Sequence, residues 1–120
     1  MAKITLVDDD ENICSAFRQF LEADGHSPII ASNAEDALKA VQERHPDLVF
    51  LDVRMPGMSG LELQRQIAAA NWRIPIIFVT SHADGDEQAQ ALEAGAVDYL
   101  YKPFREEDLI NAIDVALKHS

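Results

Sequence analysis

Two rhythms alternate along the chain. Short, almost uninterrupted apolar runs occupy 3–7, 27–31, 47–51, 74–79 and 97–101, rich in Ile, Val, Leu and aromatic residues. A strand exposed on one side alternates apolar and polar positions, so runs with little alternation suit strands covered on both faces. Between them the apolar positions take up helical spacing. Ile13, Phe17, Phe20 and Leu21 recur at i, i+4, i+7 and i+8, and Ala34, Ala37, Leu38 and Val41 at i, i+3, i+4 and i+7. Leu63 with Ile67, Ala89 with Leu92, and Leu109, Ile113, Ala116 and Leu117 continue the pattern.

The punctuation agrees. Ser32-x-x-Glu35 and Ser59-x-x-Glu62 have capping-box spacing, which predicts helix starts there. Gly25 and Gly95 fall where helices should stop and the chain must turn. Pro46 and Pro75 precede or open strands, where a missing N–H is tolerated. No linker, repeat or low-complexity tract interrupts the series. Strand–helix units repeated five times predict an α/β protein with a mainly parallel sheet and helices on both faces. The spacing suits a flavodoxin-like (βα)5 three-layer sandwich with its five strands in the order 2-1-3-4-5.

Composition narrows the class. The chain of 120 residues is predicted to be one domain, 1–120. Its single cysteine, Cys14, excludes a disulfide framework and a Cys-based zinc site, and fits a reducing, cytoplasmic compartment. Ten Lys and Arg against 21 Asp and Glu give a formal net charge of −11, which argues against direct binding to nucleic acid or an anionic membrane. No apolar run approaches the ~20 residues a membrane span needs.

The chemistry collects where such sheets bind ligands, beyond the carboxyl ends of the strands. Asp8, Asp9, Asp10 and Glu11 follow the first apolar run, Asp52 the third, Thr80-Ser81 the fourth, and Lys102-Pro103-Phe104 the fifth. Carboxylates packed together repel one another, and burial makes each charge more costly. Lys102 offsets one charge. A divalent ion would offset two more, and an all-oxygen donor set favours Mg²⁺. Because Mg²⁺ commonly shares carboxylates with phosphate oxygens, the cluster suits a phosphoryl group, with Asp52 as nucleophile and Thr80 and Lys102 as oxygen partners.

Together, Val7-Asp8-Asp9-Asp10-Glu11, the run Leu51-Asp52-Val53-Arg54-Met55-Pro56-Gly57-Met58-Ser59-Gly60, Val79-Thr80-Ser81 and Lys102-Pro103-Phe104 resemble the receiver domain of two-component response regulators, over essentially the whole chain. The wording is closer to receivers attached to DNA-binding output domains than to the chemotaxis type. The resemblance implies Asp52 as phosphoacceptor. It implies Asp8, Asp9, Asp52 and the main-chain carbonyl of Arg54 around Mg²⁺, with Asp9 the direct ligand and Asp8 acting largely through water. Lys102 pairs with phosphoryl oxygens, Thr80 and Tyr99 form the switch pair, and the Lys102-Pro103 bond is cis. It further implies a sensor histidine kinase or phosphotransfer protein as donor. The face built from the fourth helix, fifth strand and fifth helix then meets an output domain or downstream protein, with a phosphorylation-dependent homodimer as a further option. Such a protein catalyses its own phosphorylation and is not a turnover enzyme.

Ordinary readings compete at several positions. Asp10 and Glu11 are explained by the preference of acids for a helix start. Cys14 beside an apolar stripe reads as packing, and His82 as an exposed loop residue. Two other functions use similar parts. A Mg²⁺-dependent phosphatase of the haloacid dehalogenase type also has an aspartyl nucleophile, but places it after the first strand. A flavodoxin-type electron carrier needs a Ser/Thr-rich phosphate loop where this chain has an acidic one, which would repel FMN phosphate.

Overall fold

In the computed structural model, which describes residues 2–55, 57–70, 73–81, 84–102 and 104–118, strands and helices alternate throughout. The order is β1 (Lys3–Val7), α1 (Glu11–Ala23), β2 (Ser27–Ala31), α2 (Ala34–Arg44), β3 (Leu48–Asp52), α3 (Gly60–Ala69), β4 (Ile76–Thr80), α4 (Gly85–Glu93), β5 (Asp98–Tyr101) and α5 (Glu106–Lys118). The strands form one parallel sheet in the order β2-β1-β3-β4-β5, as the spacing predicts.

Each strand feeds two cores, which is why its apolar run is continuous. Leu48 and Phe50 of β3 point to the side covered by α1 and α5, with Ile4, Leu6, Phe17, Ile77 and Ile113. Val49 and Leu51 point to the other side, with Val7, Val41, Leu63, Phe78 and Tyr99. All four β3 residues are fully buried, so neither face could accept a polar alternation. At ~1.5–3 kcal/mol for each large side chain buried, these two cores are the main source of stability.

β3, β4 and β5 start later than the sequence runs, for local reasons, while β3 and β4 run one residue further, through Asp52 and Thr80. Asp47 is not part of β3: its carboxylate accepts the Lys3 N–H at 2.8 Å, while its own N–H reaches the Lys3 carbonyl at 2.8 Å. The fourth strand starts at Ile76, not 74, because Pro75 can accept from Val49 (3.0 Å) but has no N–H to donate. The fifth starts at Asp98, although Val97 N–H already bonds the Ile76 carbonyl at 2.8 Å.

Two helix readings need correction. The second helix is capped by Asn33, whose side chain accepts the Asp36 N–H at 2.8 Å, and not by a Ser32–Glu35 box. Ser59 does cap α3, accepting from Glu62 N–H at 3.2 Å. On α4 the buried residue is Ala91, whereas Ala89 and Leu92, paired by spacing, are both exposed. Two residues cannot set the rotation of a nine-residue helix; its docking onto α3 does. Gly25 and Gly95 sit at φ +83° and +104° just after α1 and α4, the left-handed turns that only glycine adopts freely. No helix among the described residues is long and apolar enough to cross a membrane.

Candidate functional site

Parallel register brings the ends of β1, β3, β4 and β5 to one rim. Asp8 directly follows β1, and its N–H extends the ladder to the Ala31 carbonyl (3.1 Å). Asp52 is the last residue of β3, paired across from Val79 of β4. Thr80 ends β4 opposite Tyr101, and its carbonyl accepts the Lys102 N–H at 2.7 Å, which aims the lysine back across the sheet.

Lys102 is the centre of the charge arrangement. Its Nζ lies 2.7 Å from Asp8 Oδ2 and 3.4 Å from Asp52 Oδ2. Asp8 is fully buried; its other oxygen accepts the Asp10 N–H at 3.0 Å. Asp52 Oδ1 accepts the Arg54 N–H at 3.2 Å. Asp9 is exposed, yet offers an oxygen to the same space: ligand atoms of Asp8, Asp9 and Asp52 all lie within 4.8 Å of one another. Three carboxylates against one ammonium leave two negative charges in excess. Removal from water pushes the Asp52 carboxyl above its ordinary range; the Lys102 ammonium and the Arg54 amide oppose this, and Asp8 adds to it. Burial works against the Lys102 ammonium too, but its bond to Asp8 and the charges of Asp52 and Asp8 prevail and raise its pKa.

A cluster with excess negative charge, only oxygen donors and one exposed carboxylate fits a hard divalent cation. Asp8, Asp9 and Asp52 are the side chains that would hold it.

The neighbouring residues sort clearly. Asp10 is the N-cap of α1, its carboxylate accepting from Asn12 (2.9 Å) and Ile13 (3.3 Å). Cys14 donates its thiol to the Asp8 carbonyl at 3.3 Å and packs against the core beside α1, and burial together with Asp8 and Asp10 raises its pKa. Tyr99 lies inward, only 6% exposed, beside Phe78 (ring centroids 5.9 Å) and Tyr101 (5.4 Å). Its hydroxyl is buried without a hydrogen-bond partner among the described residues, and burial, with Glu87 nearby, pushes its pKa up to about 12. Tyr101 is exposed and donates its hydroxyl to Gln88. Pro56, Trp72, His82 and Pro103, and with Pro103 the expected cis bond, lie outside the described residues.

Two residues that shape the site carry little signal in the sequence: Gly60 closes the motif at 51–60, and Gln64 belongs to no motif. Gly60 opens α3 with its N–H on the Val53 carbonyl (2.8 Å), and a Cβ there would stand 2.2 Å from the Asp52 carbonyl oxygen. Its signal is a glycine at the first position of a helix, where propensity disfavours it. Gln64 is 2% exposed and donates to the Ala91 carbonyl of α4 at 3.0 Å. A polar residue on an otherwise apolar helix face was the available signal.

The chain is similar to known proteins in sequence and in fold. The family model for the response regulator receiver domain matches residues 4–114. The response regulator protein TmoT of Ectopseudomonas mendocina is 43% identical over 115 residues, 96% of this chain and 52% of that protein. The alkaline phosphatase synthesis transcriptional regulatory protein PhoP of Bacillus subtilis is 35% identical, over 98% of this chain and 49% of that one. The chain thus spans about half the length of these curated relatives. Among solved structures, a response regulator receiver domain protein from Clostridium thermocellum superposes with a TM-score of 0.93 at 33% identity, covering 99% of this chain and 96% of the other. A CheY-like receiver domain protein from Methanospirillum hungatei gives 0.93 at 30%, covering 99% and 95%.

Proposed function

Because the chain belongs to the response regulator receiver domain family, we propose that it is a phosphorylation switch in which Asp52 accepts a phosphoryl group from a sensor histidine kinase or a phosphotransfer protein. Receiver domains are signalling modules rather than enzymes that turn over an external substrate. The observation that carries the reading is the Lys102 ammonium shared between Asp8 and Asp52, with Asp9 completing a compact oxygen cluster.

An Asp52 oxygen attacks the phosphorus of the donor. The new O–P bond forms as the donor's P–N bond breaks, and the bonding electron pair returns to the donor imidazole. Little covalent work is left to the protein, so positioning and charge dominate. The Arg54 amide holds Asp52 Oδ1, leaving the Lys102 side to meet the incoming oxygens. Lys102 then exchanges part of its carboxylate pairing for phosphoryl oxygens, which it is poised to do at 3.4 Å from Asp52. Asp8, Asp9, Asp52 and the Arg54 carbonyl would hold Mg²⁺, which would supply charge neutralisation at the phosphoryl oxygens. Thr80, fully buried at the end of β4, offers a hydroxyl to the new group, and its movement is coupled to the ring of Tyr99 on the adjoining strand.

The product carries close to two negative charges where the ground state has one. The face of α4, β5 and α5 reports it to an output domain or downstream protein, with homodimerisation as a further readout. We place residues 1–120 as one cytoplasmic receiver domain that itself binds neither nucleic acid nor membrane.

Incubation with acetyl phosphate, followed by intact mass, tests the reading. The expected result is a single phosphoryl adduct that requires Mg²⁺ and is absent in Asp52→Asn. An adduct that persists in that variant would refute Asp52 as acceptor.

A further inference from the structure

Arg54 reaches away from the carboxylate cluster and clasps the start of α4. Its Nη2 lies 3.3 Å from Glu87 Oε1 and 4.0 Å from Asp84 Oδ2. Asp84 is the N-cap of α4: Oδ1 accepts the Asp86 and Glu87 amides at 3.0 and 3.2 Å, leaving Oδ2 to face the guanidinium. The first turn therefore gathers Asp84, Asp86 and Glu87. A helix start favours acids, but three together repel one another, and Arg54 is the cation paired with them among the described residues.

The other end of α4 is held differently. Ala91 is the helix's one buried residue, and its carbonyl accepts both Gln64 Nε2 (3.0 Å) and the Ala96 N–H (3.0 Å). That attachment is neutral and buried. The Arg54 clasp is an ion pair whose arginine is 52% exposed, a weak and screened interaction. Helix α4 is pinned at its last turn and only latched at its first.

We propose that Arg54 is a positioning residue with two alternative partners: Asp84 and Glu87 in the unphosphorylated protein, and the phosphoryl group once Asp52 carries one, so that phosphorylation unlatches the first turn of α4 while Gln64 holds the last. The inference rests on the reading of Asp52 as phosphoacceptor. Arg54 N–H already touches Asp52 Oδ1 at 3.2 Å, so the stem of the guanidinium starts beside the reacting carboxylate. A phosphoryl group offers three acceptor oxygens and nearly two charges, and arginine binds it in bidentate fashion. A half-exposed carboxylate pair does not match that. Once the guanidinium leaves, Asp84, Asp86 and Glu87 lose the cation paired with them, and their mutual repulsion loosens the first turn.

The amides of Asp86, Glu87 and Gln88 report the latch, because all three donate to Asp84. Their hydrogen exchange is measured in wild type and Arg54→Ala, each with and without Mg²⁺ plus beryllofluoride. In the unloaded protein Arg54→Ala should speed it roughly two- to fivefold. In the loaded protein the two should exchange alike, because the latch is then open in both. Glu87→Gln should reproduce the unloaded acceleration without adding to it in the double variant, and Arg54→Lys should restore part of the protection. The Ala96 amide, bonded to the Gln64-held carbonyl, should stay unchanged throughout. An equal Arg54→Ala effect in both states would make the pair static and overturn the proposal, as would no effect in either. Calorimetry on wild type separates the two failures: no Mg²⁺-dependent beryllofluoride uptake would sink the receiver reading itself, and the exchange of partners with it.

Discussion

Replacing Gly60 with alanine adds one methyl group, and the structure places it against the backbone of Asp52. The new Cβ would stand 2.2 Å from the Asp52 carbonyl oxygen, 3.0 Å from its carbonyl carbon and 3.1 Å from Phe78 Cε1. Carbon and oxygen settle in contact at about 3.3 Å, so roughly 1 Å of movement is required. Neither side gives way cheaply. The oxygen ends the central strand, and Gly60 is tied by its N–H to the Val53 carbonyl at 2.8 Å. Overpacking of this kind costs about 1–3 kcal/mol, offset in part by the lower chain entropy of alanine, so a net loss of ~1–2 kcal/mol is expected. The functional loss should be larger, since a misplacement of about 1 Å at a reacting group can cost ~10²-fold in rate. Urea unfolding measures the first quantity, and the rate of labelling by acetyl phosphate measures the second. Gly85→Ala is the control: it too opens a helix, but its Cβ would meet nothing within 4 Å, so both readouts should stay close to wild type. A Gly60→Ala protein with wild-type urea midpoint and wild-type labelling would refute the close approach. Lost stability with full labelling would show that the strain relaxes away from Asp52.

Three further outcomes follow from burial and capping. Asp52 has a raised carboxyl pKa, so the stability it contributes is complete below its unfolded pKa and is lost as pH rises through the folded one. Asp52→Asn should therefore be more stable than wild type at about pH 7, with the difference vanishing below about pH 4; parallel urea midpoints across that range would contradict this. Tyr99→Phe removes a buried hydroxyl that has no partner among the described residues, and should stabilise the protein by about 1 kcal/mol in thermal unfolding. The same variant should escape part of the alkaline loss of stability between 10.0 and about 12, the window set by the raised Tyr99 pKa, as absorbance of the tyrosinate would show. Asn33→Ala should cost about 1 kcal/mol by loss of the α2 cap, while Ser32→Ala should cost little; the reverse order would restore the Ser32 capping box.

Much of the architecture was legible because it is written in short-range periodicity. Leu48 to Leu51 read as a doubly covered strand from the run alone, and each of these residues is fully buried. Phe17 and Leu21, four apart, read as the buried stripe of a helix, and they are. The acids after β1 and β3 and the lysine after β5 were legible as a site because in a parallel α/β sheet all strand ends share one rim. Where the signal was thin, the local reading failed. Ala89 and Leu92 could not set the phase of α4, and Ser32 and Asn33 are adjacent residues that cap equally well in isolation.

By itself, then, the sequence determined the number and type of elements and the chemical kinds available to the site, since both depend on neighbours three or four positions apart or on residue identity. Tertiary structure alone decided which groups meet. Lys102 and Asp8 stand 94 positions apart, yet sheet register sets them 2.7 Å from one another. Arg54 finds Glu87 across 33 positions, and Gln64 finds Ala91 across 27. Such contacts leave no periodic trace in the chain, because the distances are set by strand order and helix docking. The same holds for Gly60, whose missing side chain makes room for a carbonyl oxygen that only the folded sheet brings beside it.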